Sequence, residues 1–248
     1  MKIVVIGGTG LIGSKLVTRL SEHGHTAVPA SPNTGVDTLT GEGLKEVLTG
    51  ADVVIDVSNS PSFADDDVMN FFRTSAGNLV AGAKEASIGH FVALSVVSCD
   101  RLPEFGYMRA KVAQEELIRQ SGLPYSIVRA TQFFEFAGAI ADSSTVDGKV
   151  HLAPGGIQPM AADDVASAVG RTAAGAPLNA TVEYAGPEVF RLDEWIRTVL
   201  SARSDGREVV TDPKAPLYGG VPGPDNFLPV AGATLAKTTL QDWLSVGN

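Results

Sequence analysis

A strand, a glycine-rich turn and a helix follow one another without interruption at the start of the chain. The strand segment, residues 2–6, is rich in β-branched side chains and runs directly into Gly7 and Gly8. Residues 14–20 then carry apolar side chains at helical spacing. This order predicts a buried strand, a tight turn and a helix, the unit from which alternating α/β folds are built.

The spacing of the glycines indicates a function for the turn. Glycines here permit a tight turn, a bare backbone that a pyrophosphate can approach, and close packing of helix on sheet. Free N–H groups and the positive dipole end at the start of the helix favour phosphate. A purely steric role is the alternative, but strand and helix patterns flank the glycines on the correct sides. The predicted cofactor-binding residues of the loop are Gly7, Thr9, Gly10, Leu11, Ile12 and Gly13.

The tip of the second strand bears on the choice of cofactor. Residues 25–31 predict that strand, and Pro29 predicts that it lies at a sheet edge or ends early. In nicotinamide-binding folds an acid at this tip binds the ribose 2′-hydroxyl, whereas its absence leaves room for a 2′-phosphate. The tip has no acid, which favours NADP over NAD, with Ser31 and Asn33 as donors. No arginine supports this preference, and a polar turn without discriminating power is an equally good interpretation.

Two further segments extend the predicted site. Residues 35–39 predict the remnant of a third strand, in which Asp37 meets the adenine edge or caps a turn. Residues 51–57 form a near-continuous apolar run, as expected for a central parallel strand, and end in Ser58 and Asn59. Parallel strands share one carboxyl edge, so this pair is predicted to line the nicotinamide-ribose end, with a simple turn as the alternative.

A second chemical group follows the strand predicted over residues 90–97. Ser95 lies near the end of that strand, and Tyr107 and Lys111 lie one turn apart on one face of the next helix. The adjacent ammonium and a positive nicotinamide ring should lower the pKa of the Tyr107 phenol from its usual value of about 10 and so favour the phenolate. We predict Tyr107 as acid/base, Lys111 as its partner and ribose ligand, and Ser95 as the hydrogen-bonding serine. Ser98 competes for the serine role, and a half-exposed Tyr with a snorkelling Lys is the structural alternative.

Composition excludes several classes of function. The formal net charge is −9 and no basic cluster stands out, so direct nucleic-acid binding is disfavoured. The single Cys99 fits a reducing compartment, with a buried apolar role preferred to catalysis. No apolar run approaches about 18 residues and no signal peptide is evident, so we expect a cytoplasmic protein with no membrane partner. Asp65, Asp66 and Asp67 are interpreted as a solvated helix start, and no metal site is predicted.

The domain organisation follows the same patterns. We predict a cofactor-binding core over residues 1–150, to which later segments return, and a smaller mixed α/β substrate lobe over residues 151–248. Residues 211–232 hold five prolines among glycines, which suits a substrate loop or lid, with a plain surface loop as the alternative.

The glycine loop, Ser95, Tyr107 with Lys111, and residues 121–133 together resemble the atypical short-chain dehydrogenase/reductase proteins, in their NmrA-like and NAD(P)-binding branch. The resemblance implies a Rossmann-type, doubly wound parallel sheet with helices on both faces and a small C-terminal substrate lobe. It also implies an NAD(P)-dependent oxidoreductase acting on a small carbonyl, alcohol or quinone. Many members of this branch lack the Tyr/Lys pair and act as redox sensors, so its presence here favours an enzyme. A non-catalytic NAD(P) sensor is the alternative, a sugar-nucleotide epimerase is a third possibility, and a homodimer is left open.

Overall fold

The chain folds around one sheet of seven parallel strands, as shown by a computed structural model that describes residues 1–247. The strands of this sheet are β1 (Lys2–Ile6), β2 (Thr26–Ala30), β3 (Val53–Asp56), β4 (His90–Val96), β5 (Tyr125–Ala130), β9 (Ala180–Ala185) and β12 (Thr234–Leu235). Their order across the sheet is β12-β9-β5-β4-β3-β1-β2, and all six pairings are parallel. The predicted Rossmann-type parallel fold is confirmed.

Helices cover both faces of the sheet. They are α1 (Leu11–Glu22), α2 (Leu44–Leu48), α3 (Asp65–Glu85), α4 (Gly106–Arg119), α5 (Ala137–Ser143), α6 (Ala162–Ala174), α7 (Leu192–Ala202) and α8 (Leu240–Ser245). Alternate residues of the central strands point to opposite faces, so Ile3 and Val5 pack with α1 and α6, while Val4 and Ile6 pack with α2, α3 and α4. Both faces are apolar because both are buried.

The second strand lies at the edge of the sheet, as Pro29 predicts. Pro29 pairs with Val5 on the inner side, and the outer side of β2 has no neighbouring strand among the described residues. A residue without an N–H is tolerated there. The predicted third strand over residues 35–39 is wrong, because the segment turns instead. The Asp37 carboxylate accepts hydrogen bonds from the Leu39 N–H at 2.7 Å and the Thr40 N–H at 3.4 Å, which stabilises a turn.

A second apolar cluster lies beyond the carboxyl edge of the sheet. Its small sheets are formed by β6 (Thr145–Val146), β7 (Lys149–Leu152) and β11 (Val209–Thr211), and by β8 (Gly156–Ile157) and β10 (Phe190–Arg191). Helices α5, α7 and α8 pack around the fully buried Trp195, and Trp243 stacks near Phe134. Since β9, β12 and α6 return to the large sheet, this cluster is built from interleaved segments. The boundary at residue 150 stays a prediction.

Candidate active site

A cavity of about 1110 Å³ lies along the carboxyl edge of the large sheet, between the sheet and the second apolar cluster. Its walls come from the turns after β1, β2, β3, β4 and β5, from α4 and α5, and from the proline-rich segment. Ligands of open parallel sheets bind at this edge, where the loops that follow the strands converge. Most of the predicted site residues therefore meet in one space, although they are far apart in the sequence.

The glycine loop after β1 has the shape that a phosphate-binding turn requires. Gly7 has φ of +77°, and a Cβ there would lie 2.9 Å from the Ser58 nitrogen. At Gly13 a Cβ would lie 2.1 Å from the Gly7 carbonyl oxygen. Gly7 thus permits the left-handed turn, while Gly13 permits the close approach of α1 to the loop. Gly13 does not line the cavity, so its contribution to the predicted site is through packing.

The start of α1 provides donors for an anion. Gly10 is the N-cap and offers no side chain, and among residues 1–247 no acceptor satisfies the N–H groups of Leu11 and Ile12. Gly10, Leu11 and Ile12 all line the cavity. Unsatisfied donors at the positive end of a 12-residue helix form an anion site, so these residues fit the pyrophosphate of a dinucleotide.

At the tip of β2, where the adenosine of the cofactor is predicted to bind, Ser31 lies in the site and Asn33 lies outside it. Thr9 donates a hydrogen bond to the Ser31 hydroxyl at 3.1 Å, and both residues line the cavity. Asn33 is exposed in the 3-10 turn after β2 and is not among the lining residues. No arginine lines the cavity in the described part of the chain, and its single lysine is Lys111. The structure therefore supplies neither a basic partner for a 2′-phosphate nor an acid at the tip of β2.

Asp56, which the sequence argument did not single out, organises the turn after β3. Its Oδ1 accepts from the Ser58 hydroxyl at 2.6 Å and the Ser58 N–H at 3.0 Å, and its Oδ2 accepts from Gln114 at 2.8 Å. The carboxylate thus fixes Ser58, which lines the cavity together with Asn59. An acid as the last residue of a fully buried strand is the signal that could have identified it.

Tyr107 points its hydroxyl into the cavity and donates to Asn59 Oδ1 at 3.1 Å. Its ring lies 5.6 Å from the ring of Phe63 and 5.9 Å from that of Phe72. Burial raises the pKa of the phenol above its ordinary value, and neighbouring Tyr218 acts in the same direction. The protein's own groups therefore do not stabilise a phenolate, contrary to the expectation from the sequence. They keep Tyr107 protonated.

Lys111 lines the cavity one turn further along α4. Its amine donates to the Leu94 carbonyl at 2.9 Å and lies 4.3 Å from the centre of the Phe72 ring. Burial lowers the pKa of the amine to about 8, and the carboxylates of Asp56 and Glu115 oppose this effect. Lys111 therefore remains largely protonated at neutral pH, as the predicted site requires.

The structure distinguishes the two candidate serines. Ser95 is buried at the end of β4 and lines the cavity. Its hydroxyl makes no fully formed hydrogen bond within residues 1–247, although its proximity helps to lower the pKa of Glu115. Ser98 is outside the cavity lining; its hydroxyl donates to the Leu228 carbonyl at 2.9 Å and accepts from Arg101 at 2.5 Å. Of the two serines, Ser95 alone lines the cavity, but its hydroxyl oxygen is almost inaccessible, and its role stays a prediction.

Cys99 and Arg129 belong to a buried ion-pair network behind the site. Arg129 holds both Glu115 oxygens, at 2.9 and 2.8 Å, and this pairing lowers the pKa of Glu115 to about 2 although burial alone would raise it. Burial beside Glu115 raises the pKa of the Cys99 thiol to about 12. A thiol that stays protonated is a poor nucleophile, which agrees with the apolar role expected for Cys99.

The proline-rich segment reaches the cavity through residues 216–219. Tyr218 lies there with φ of +53°, and its ring centre is 6.1 Å from that of Phe63. The segment is fixed further along by Phe227, which is buried against Phe105, and by the Leu228 carbonyl. The substrate-loop interpretation of residues 211–232 is thus compatible with its position, and its role stays a prediction.

Two properties of residues 1–247 bear on other predictions. No group of three or more His, Cys, Asp or Glu side chains in that range could hold a metal ion, and Asp65, Asp66 and Asp67 form the first turn of α3. None of the described helices is long and apolar enough to cross a membrane. Cytoplasmic location, the lack of nucleic-acid binding and a homodimer stay predictions.

Fold and site together define a dinucleotide-binding protein, and comparison with known families agrees. A family model described as NAD(P)H-binding matches residues 7–172, more than half of the chain. The chain belongs to this family, so the predicted relation to NAD(P)-binding proteins is confirmed. A nicotinamide cofactor is thereby supported, without a preference between NAD and NADP.

Curated relatives resemble only part of the chain. Photosystem II assembly factor Ycf39 of Cyanophora paradoxa is 29% identical over 165 residues, covering 59% of this chain and 51% of the relative. A (4-alkanoyl-5-oxo-2,5-dihydrofuran-3-yl)methyl phosphate reductase of Streptomyces griseus is 28% identical over 144 residues, covering 53% of this chain and 48% of that enzyme. The chain thus spans about half the length of these relatives.

Solved structures match the fold over nearly the whole chain. MoeE5 in complex with UDP-glucose and NAD has a TM-score of 0.76 at 18% identity, over 99% of this chain and 96% of that one. A dTDP-4-dehydrorhamnose reductase of Bacillus anthracis in complex with NADP has a TM-score of 0.68 at 14% identity, over 98% and 92%. At these identities the similarity establishes the fold alone.

Proposed function

We propose that the protein is an NAD(P)H-dependent reductase that converts a carbonyl compound to an alcohol, with Tyr107 as the proton donor. The observation that carries the proposal is the meeting of a phosphate-binding loop, the Tyr107 hydroxyl and the Lys111 side chain in one cavity. Relatives and structural neighbours that are named as reductases support a nicotinamide-dependent reduction. The substrates in the names of these relatives are not assigned to this protein.

The proposed chemistry assigns each group a task. Gly7, Gly10 and the start of α1 bind the cofactor phosphates, and the reduced nicotinamide supplies a hydride when bound. Tyr107 holds the proton that the carbonyl oxygen takes as the C=O bond becomes an alcohol, and solvent then reprotonates the phenol. The Lys111 side chain binds ribose hydroxyls, and its positive charge lies on the side of the cavity that the substrate oxygen would occupy. Ser95 is proposed to donate a hydrogen bond to the substrate oxygen once its buried hydroxyl turns toward the cavity.

The protonation state of Tyr107 suits it to the reductive reaction. Because burial raises the pKa of its phenol, the residue is present as the acid at neutral pH. Reduction needs an acid there, whereas oxidation of an alcohol needs a base. We therefore propose that Tyr107 is held as the acid that carbonyl reduction needs, with Asn59 accepting the phenolic proton until a carbonyl oxygen replaces it as acceptor.

Oxidation of NADH and NADPH in the presence of aldehydes, aromatic ketones and quinones tests the proposal. We expect saturable turnover with at least one of these compounds. In Tyr107→Phe, kcat should fall roughly 100- to 10,000-fold, the range for loss of a general acid, while cofactor affinity is unchanged. Equal turnover by the wild type and this variant would refute the role of Tyr107.

A non-catalytic, cofactor-binding role is the second candidate. Several curated relatives are named as photosystem II assembly factors, and Lys111 here donates to a backbone carbonyl rather than to Tyr107. This candidate expects tight binding of the dinucleotide with no turnover on any carbonyl. The same oxidation assay, together with cofactor titration by calorimetry, separates the two candidates.

A further inference from the structure

The cavity extends past the residues that would hold the cofactor phosphates, and its volume is about 1110 Å³. One part of it is lined by α5 and the proline-rich segment, on the same side as Phe63 and Tyr218. We call it the outer end and define it by the lining residues Phe63, Phe136, Ala139, Ile140, Leu217 and Tyr218.

Formal charge is absent from this outer end. Among all the described residues that line the cavity, Asp37 and Lys111 alone are charged. The Asp37 carboxylate accepts from backbone N–H groups of its own turn, and the Lys111 amine donates to the Leu94 carbonyl. Phosphates and carboxylates are recognised mainly by Arg, Lys and helix N-termini. A charged substrate that moved from the exposed mouth toward Tyr107 would lose hydration without such a partner, which is costly.

Aromatic rings surround the same space. Phe63 lies between Tyr107 and Tyr218, with ring centres 5.6 and 6.1 Å away, and Phe136 stacks on Phe133 at 5.1 Å. Phe63 is 55% exposed, an unusual position for a large apolar side chain. Rings at these separations favour offset or edge contact with a further flat π-system.

The ring of Tyr218 is held in this position by its segment. Leu217 and Gly220 form an antiparallel bridge that turns the chain at Tyr218. The Glu183 carboxylate accepts from the Val230 N–H at 2.9 Å, which fixes the distal part of the segment to the large sheet. The aromatic wall is therefore a built feature of the fold.

We infer that the outer end binds an uncharged, flat, conjugated carbonyl compound, such as an aromatic ketone or quinone, and excludes phosphorylated and nucleotide-linked sugars. The inference rests on the proposed reductase function, which places the substrate carbonyl at Tyr107. It separates this protein from the structural neighbour that binds UDP-glucose, although the two share a fold. Neutrality and aromatic contact are the two properties by which the site selects its substrate.

Binding of matched probes to the cofactor-loaded protein tests this inference independently of turnover. The probes are para-methylacetophenone and para-acetylbenzenesulfonate, which differ by a methyl and a sulfonate group, together with UDP-glucose. Calorimetric titration is done on Tyr107→Phe saturated with NADP⁺ or NAD⁺, so that no reaction occurs. We expect the neutral ketone to bind more than about 10-fold tighter than the sulfonate, and UDP-glucose not to bind.

Two substitutions locate the binding at the outer end. Phe63→Ala should weaken binding of the neutral ketone about 3- to 10-fold, the value of one aromatic contact, with cofactor affinity unchanged. Ala139 is exposed on α5 and lines the cavity, so Ala139→Lys adds one charge at the mouth without disturbing the core. It should strengthen sulfonate binding about 2- to 5-fold, the value of one exposed ion pair, while Ala139→Gln should not.

The outcomes separate the inference from the proposed function. If the neutral ketone binds but the wild-type protein oxidises neither NADH nor NADPH with any carbonyl, the inference stands and the reductase proposal fails. If the sulfonate or UDP-glucose binds as tightly as the neutral ketone, or if no probe binds, the inference is overturned. The inference would also be overturned if Phe63→Ala bound the neutral ketone as tightly as the protein that retains Phe63.

Discussion

The two ends of the cavity are built by different means. At the phosphate end the ligand would meet backbone, because Gly7 and Gly10 have no side chains and the Leu11 and Ile12 N–H groups have no acceptor among residues 1–247. At the reactive end it would meet side chains, with Tyr107 hydrogen-bonded to Asn59 across 48 residues of sequence. A backbone site is defined by local spacing, whereas a side-chain site depends on packing between distant elements.

This contrast also governs stability. The glycine loop contributes little unfavourable free energy to folding, since its atoms pack closely and bury no charge. The reactive end instead buries the Lys111 ammonium, whose pKa falls to about 8, and leaves the Ser95 hydroxyl without a complete hydrogen bond in the described chain. Such unfavourable burial is commonly retained where function needs it.

The largest expected effect is at Gly13. Gly13→Ala places a Cβ 2.1 Å from the Gly7 carbonyl oxygen and 2.6 Å from the Gly8 Cα, so loop and helix must separate. We expect a loss of about 3 kcal/mol in the free energy of unfolding and at least a roughly 100-fold loss of cofactor affinity. Urea unfolding and cofactor titration measure the two effects.

Gly77→Ala in α3 is the matched control, because a Cβ there meets nothing within 4 Å. It should leave cofactor affinity unchanged and raise stability by about 0.5–1 kcal/mol, as expected for alanine in place of glycine inside a helix. If Gly13→Ala behaves like this control, the close approach of α1 to the glycine loop is not what defines the phosphate end.

The next effect concerns the buried charge of Lys111. Its pKa is about 8 in the folded protein against 10.5 ordinarily, so between these values the unfolded chain binds more protons. The free energy of unfolding therefore rises as the pH increases from about 8 to 10.5. Lys111→Met should be more stable than the wild type at pH 7, by about 2 kcal/mol after loss of the bond to Leu94, and should lose activity.

Urea unfolding of both proteins at neutral and alkaline pH tests this statement, since the other titrating groups cancel in the difference. The advantage of Lys111→Met should shrink as the pH rises. If Lys111→Met were less stable than the wild type at neutral pH, and by an amount independent of pH, burial of the charged lysine would not be destabilising.

A smaller effect is expected at the adenosine end. Ser31→Asp puts a carboxylate in the cavity wall, where it would repel a 2′-phosphate and accept from a 2′-hydroxyl. The ratio of NADH to NADPH affinity should rise about 10-fold. Asn33→Asp, on the exposed turn outside the cavity, is the control and should change the ratio little. Equal shifts in both variants would show that the ribose lies elsewhere.

The smallest predicted effect is at Asn59. Asn59→Ala removes the acceptor of the Tyr107 hydroxyl, and the net value of one such hydrogen bond is about 0.5–1.5 kcal/mol. Because the substrate oxygen replaces Asn59 as acceptor in the reactive complex, we expect kcat to change by no more than roughly 3-fold, with unchanged cofactor affinity. A loss as large as that of Tyr107→Phe would indicate that Asn59 itself takes part in the proton transfer.

How much the sequence predicts differs between these regions for physical reasons. The parallel sheet and the glycine loop follow from local patterns, because strand, turn and helix adjoin in the chain. Tyr107 and Lys111 follow from helical spacing, but the protonation of Tyr107 does not, since burial by distant Phe63 and Phe72 decides it. Asp56 and Tyr218 were missed as site residues, because their positions depend on the turn after β3 and on a loop more than a hundred residues later.

A crystal structure of the protein with its nicotinamide cofactor tests the central claim, that one cavity joins the phosphate loop to the proton donor. The account predicts the pyrophosphate at the N–H groups of Leu11 and Ile12. The reactive carbon of the nicotinamide should lie facing Tyr107, with space for a carbonyl whose oxygen reaches the phenol at roughly 2.6–3.2 Å. A nicotinamide ring bound away from Tyr107, with the hydroxyl still bonded to Asn59, would contradict it.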